Sequence, residues 1–80
     1  MPVVFRYKGF RFFFYSNDGS SREPMHVHLR AGGSEAKLWL DPQVRVAASY
    51  GFDAETLREL VEVAHTSREL IERAWHDYFG

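Results

Sequence analysis

The segment Glu23-Pro24-Met25-His26-Val27-His28 sets two imidazoles two residues apart, and Glu35-Ala36-Lys37-Leu38-Trp39-Leu40 follows after a short gap. Side chains alternate along a β-strand, so His26 and His28 share one face. If the two segments pair as a hairpin, Lys37 and Trp39 join them. Metal-free RNA cleavage needs a base for the ribose 2′-OH, an acid for the leaving 5′ oxygen and a cation for the phosphoryl oxygens. Histidine suits both proton steps because it titrates near neutrality. His26, His28 and Lys37 are therefore the candidate catalytic residues, with the two histidines about 7 Å apart along the strand. Arg6, Arg11, Phe13, Arg30 and Trp39 are the candidate substrate-binding residues, the arginines for phosphate and the aromatics for stacking on bases.

Two other readings compete. Histidines at i and i+2 can share one metal ion, with Glu23, Asp41 or His76 as a third ligand. Lys37 and Arg30 count against an ion, because cations repel it, so no metal and no cofactor is assigned. The histidines could also be an exposed strand face with no chemistry. His65 and His76 read as structural, Ala31-Gly32-Gly33-Ser34 as a plain turn, and Trp75 and Tyr78 as core.

The elements that must position these residues follow from turn chemistry and periodicity. Residues 3–7 and 10–15 are rich in β-branched and aromatic side chains and flank Lys8-Gly9, a two-residue hairpin connection. This pairs Tyr7 with Phe10, Arg6 with Arg11, Phe5 with Phe12, Val4 with Phe13 and Val3 with Phe14. Residues 16–24 form a polar loop, the segment expected to be most mobile. Residues 25–30 and 35–40 alternate cleanly. A four-residue loop between them pairs Arg30 with Glu35, Leu29 with Ala36, His28 with Lys37, Val27 with Leu38 and His26 with Trp39. Residues 44–49 read as an edge strand. Asp53 is an N-cap for a helix with Leu57, Leu60, Val61 and Ala64 on one face. Thr66-Ser67-Arg68-Glu69 fits a capping box, which starts a second helix burying Leu70, Ile71, Ala74, Trp75 and Tyr78. The expected fold is α+β: one domain over residues 1–80, an antiparallel sheet of four to five strands (two hairpins plus a short edge strand), and two C-terminal helices packed on one face. Nothing is assigned to cover the other face.

Composition bounds the function. Eighty residues bury only roughly 60–65% of the unfolded surface, so the core is modest. No cysteine is present, which excludes disulfides and thiolate metal sites. Basic residues interrupt the apolar start of the chain, and no stretch approaches transmembrane length, so a cytoplasmic protein is expected. Thirteen aromatics, seven Phe, four Tyr and two Trp, exceed what a core this size hides. The net charge of −1 divides unevenly. Residues 1–50 carry seven Lys or Arg against four acids, and residues 51–80 carry three Arg against seven acids. The front half suits an anion and the back half a basic partner.

Phe12-Phe13-Phe14-Tyr15-Ser16, Glu23-Pro24-Met25-His26-Val27-His28, Ala36-Lys37-Leu38-Trp39-Leu40-Asp41-Pro42 and Trp75-His76-Asp77-Tyr78-Phe79 together resemble domain-of-unknown-function family 4160 (DUF4160). Met25 stands where many relatives are expected to carry proline. The resemblance extends to the DhiT-type toxin of type II toxin–antitoxin modules. It implies a cytosolic bacterial or archaeal protein held by a protein antitoxin, with RNA or the translation apparatus as target, and it carries over no catalytic set. The reading is a toxin with metal-independent ribonuclease chemistry on the face of His26, His28, Lys37 and Trp39. A non-catalytic, antitoxin-like binding module and a metal-dependent hydrolase are the alternatives. A homodimer is left open.

Overall fold

The computed structural model describes residues 2–20 and 22–80. Met1 and Ser21 lie outside the described residues, so the polar loop is described on either side of Ser21. Five strands, β1 (Val3–Tyr7), β2 (Phe10–Phe13), β3 (His26–Ala31), β4 (Ser34–Trp39) and β5 (Arg45–Tyr50), precede helices α1 (Ala54–Thr66) and α2 (Arg68–Phe79). The strands form one antiparallel meander in sequence order. This is the expected α+β fold.

Each connection follows from its residues. Lys8 and Gly9 both adopt positive φ, 48° and 83°, as a tight hairpin turn requires. Tyr7, Arg6 and Phe5 then face Phe10, Arg11 and Phe12 as expected, and the Phe5 and Phe12 rings stack at 4.3 Å. Beyond Phe5 the register shifts, so Val3 opposes Phe13 instead of Phe14. The expected Val3–Phe14 and Val4–Phe13 pairs are therefore corrected. Phe14 lies past the end of β2, where its N–H donates to the Pro2 carbonyl. The β3–β4 hairpin has all five expected pairs and adds Ala31 with Ser34, which shortens the connection to Gly32-Gly33. A one-residue slip there would turn Val27, Leu29, Ala36 and Leu38 out of the core, at about 1.5–3 kcal/mol per large side chain.

Phe12, Phe14, Val27, Leu29, Ala36, Leu38 and Leu40 pack with Leu60, Ala64 and Ile71 of the helices. Asp53 caps α1 by accepting the Thr56 N–H at 2.7 Å. The helices do break at Ser67, but its side chain makes no capping bond. Its N–H instead donates to the Val63 carbonyl and its own carbonyl accepts from Ile71, so the chain stays nearly helical through the joint. Leu70 and Tyr78 are exposed, contrary to expectation. Phe79 takes the inward position and meets Phe14 and Trp75.

The sheet's second face is covered in part. A single 3-10 turn, Asp18–Ser20, folds the polar loop back over it and buries Asp18. Gly19 makes this possible: a Cβ there would stand 2.8 Å from the Phe79 Cβ. Gly19→Ala should destabilise the protein by about 1–3 kcal/mol, read as a lowered Tm. Gly33→Ala, with nothing within 4 Å of its Cβ, is the neutral control. Equal Tm values would contradict this docking of the loop.

Candidate functional site

Alternation along β3 puts His26 and His28 on the face opposite the main core, and the loop brings Asp18 to them. His28 Nε2 lies 3.1 Å from Asp18 Oδ2 and 3.4 Å from Oδ1, and His26 Nε2 lies 3.2 Å from Oδ1. The Tyr15 N–H donates to Asp18 Oδ2 at 2.8 Å, while the Asp18 N–H returns a bond to the Tyr15 carbonyl. His26 Nδ1 sits 2.8 Å from the Pro24 carbonyl oxygen. A carbonyl only accepts, so Nδ1 carries the proton and Nε2 is the nitrogen turned to Asp18. Asp18, His26 and His28 thus present ligand-type atoms within 4.8 Å of one another, the arrangement in this structure able to hold a metal ion among the described residues.

Aromatic rings wall the centre. His28 stacks on Phe13 at 5.6 Å and meets the edge of Tyr15 at 4.5 Å. His26 touches Trp39 and also Trp75, which α2 carries to the end of the sheet. His26 is 1% exposed and His28 9%. Burial holds the His28 pKa below the ordinary imidazole value, opposed by the Asp18 charge. The neutral ring can donate Nε2–H to the carboxylate.

The other anticipated residues surround this centre in two ways. Arg6, Arg11 and Arg30 oppose one another in register across β1, β2 and β3, one row along from His28. Arg30 donates to Glu35 at 2.7 Å and to the Tyr15 hydroxyl at 3.2 Å. Arg6 and Arg11 form no ion pair among the described residues. Lys37 is opposite His28, gives both Glu23 oxygens hydrogen bonds of 2.8 and 2.9 Å, and lies over the Trp39 ring. Phe13 is fully buried, so it is closed to a stacking base. His26 is likewise withdrawn from solvent. His65 and His76 are exposed on the helices, Glu23 is paired with Lys37, and among the described residues neither His76 nor Glu23 nor Asp41 joins the Asp18, His26 and His28 group, so those third-ligand expectations are corrected.

Two residues escaped the sequence reading. Asp18 sits in a loop with no periodicity to place it; the Asn-Asp-Gly turn signal marks a bend but not its direction. Tyr50, 76% exposed, borders a shallow concavity of about 450 Å³ together with His28, Glu35, Lys37 and Ala48.

The Arg30–Glu35–Tyr15 cluster gives a pH signature. Arg30, and then the Tyr15 hydroxyl, hold the Glu35 carboxyl below its ordinary value of 4.5. A depressed folded pKa adds stability above the unfolded value and loses it as pH falls through the folded value. Between about pH 5 and pH 3, wild-type Tm should therefore fall more steeply than that of Glu35→Gln. Parallel acid limbs would show that the cluster contributes nothing.

A family model described as domain of unknown function (DUF4160) matches residues 9–76, and the chain belongs to that family. No curated protein and no solved structure matches it. Among the described residues no helix is long and apolar enough to cross a membrane.

Proposed function

We propose that this member of the DUF4160 family is the toxin of a prokaryotic type II toxin–antitoxin module and acts on RNA in the cytoplasm through the outer face of its sheet. The opposed Arg6 and Arg11, without an ion pair among the described residues and continuing the row to the Glu35-paired Arg30, carry the reading. Like charges directly opposed on neighbouring strands cost stability, and a phosphate lying across them would repay that cost. The row flanks the concavity of His28, Lys37 and Tyr50, so a bound strand would run from arginines to imidazole.

The roles at that concavity differ from two equivalent histidines. His28, steadied by Asp18 and bordering the groove, is the residue placed to take a 2′-OH proton. Lys37 would exchange Glu23 for a phosphoryl oxygen, and Tyr50 offers the exposed ring that Phe13 cannot. His26 is a positioning residue behind Asp18.

Purified protein should bind single-stranded RNA. Arg6→Gln with Arg11→Gln should weaken binding and reduce the slope of log affinity against log salt by roughly 1.4. The same pair should raise folding stability by about 0.2–1 kcal/mol as the opposed charges go. Cleavage should fall about 10²–10⁴-fold in His28→Gln. An unchanged salt slope, or expression that never arrests growth, would overturn the reading.

A second reading, an antitoxin-like binding module, is favoured by α1, where Glu55, Arg58, Glu59 and Glu62 border another shallow concavity. Reversing Glu59, Glu62, Glu69 and Glu72 should then abolish capture of a basic protein partner, while His28→Gln leaves it intact.

A further inference from the structure

We propose that Asp18, His26 and His28 form a binding site for one transition-metal ion, of zinc or cobalt type. The site shares His28 with the proposed RNA centre but does not rest on RNA being the substrate: an imidazole that holds the ion has no free basic nitrogen, so the base role of His28 belongs to the metal-free protein.

The hydrogen-bond accounting points to a cation. His26 Nδ1–H is committed to the Pro24 carbonyl at 2.8 Å, so a neutral ring turns its Nε2 lone pair toward Asp18 Oδ1 at 3.2 Å. A lone pair facing a carboxylate in a site this buried is repulsive unless something positive lies between them. A metal ion accepts both lone pairs. Histidine whose far N–H is tied to a backbone carbonyl is the usual form of a metal-bound imidazole.

The distances suit that role. Ligands about 2.0–2.1 Å from a tetrahedral ion stand about 3.3 Å from each other. Asp18 Oδ1 lies 3.2 Å from His26 Nε2 and 3.4 Å from His28 Nε2, and all three ligand atoms lie within 4.8 Å of one another. The outer shell is built as well: the Tyr15 N–H holds Asp18 from behind, and Phe13, Trp39 and Trp75 exclude water from the imidazoles. The cations that argue against a metal in the sequence are answered in the fold, because Lys37 is paired with Glu23 and Arg30 with Glu35. Two imidazoles and one carboxylate favour Zn²⁺ or Co²⁺ over Mg²⁺, which prefers oxygen ligands and retained waters. Three protein ligands leave a further coordination position, the arrangement of catalytic zinc sites.

The test titrates chelator-stripped full-length protein with Zn²⁺, Co²⁺ and Mg²⁺ by calorimetry, following Co²⁺ also by visible absorption. One Zn²⁺ or Co²⁺ per chain is expected, with an intense low-coordinate Co²⁺ spectrum and no saturable Mg²⁺ binding. Asp18→Asn and His28→Gln should each weaken binding at least about 100-fold, with far-ultraviolet circular dichroism unchanged. His65→Gln and His76→Gln should leave it unaltered. Absence of one-to-one binding to the wild-type protein overturns the site even if a variant fails to fold, as does binding that survives Asp18→Asn or follows His65 or His76. RNA binding is scored separately on metal-free protein, so either result can fail without the other.

Discussion

The Asp18 carboxylate, set between His26 and His28, is the contact on which the outer half of this molecule depends. It ties the loop after β2 to the second face of the sheet, fixes the orientation of both imidazoles, and closes a site that would otherwise be a flat strand surface. A buried carboxylate needs compensation, and here it includes the Tyr15 backbone N–H and the His28 ring nitrogen. The inner half is ordinary by comparison: leucines, phenylalanines and an isoleucine packed between sheet and helices.

The two halves meet at the end of α2. Trp75 touches Phe14 on the core side and His26 on the outer side, and Phe79 leaves room only for glycine at position 19. Helix packing therefore sets the position of the loop, and the loop sets the position of Asp18. A change in α2 at Phe79 would be felt at the histidines without any direct contact with a ligand.

The hairpin carrying the histidines was readable from the sequence because its information is local. Met25 to Leu29 and Ala36 to Leu40 alternate, the Ala31-Gly32-Gly33-Ser34 turn signal lies between them, and only one register keeps every apolar residue inside. That register set His26 beside Trp39 and His28 beside Lys37, as found. Asp18 was not readable, since it reaches the site through a loop whose course depends on Phe79, 61 positions later. For the same reason Phe13 looked available: alternation assigns it to the outer face correctly, but says nothing of the loop that covers it. The shift beyond Phe5 and the uncapped joint at Ser67 are local irregularities that periodicity averages over.

The centre's identity as a metal site is tested most directly by diffraction from crystals grown with stoichiometric Zn²⁺, recorded at the zinc absorption edge. One anomalous peak is expected about 2.0–2.2 Å from both histidine Nε2 atoms and an Asp18 oxygen. Density showing Asp18 and the histidines in direct contact with no anomalous peak between them, or zinc only at His65 or His76, would contradict it.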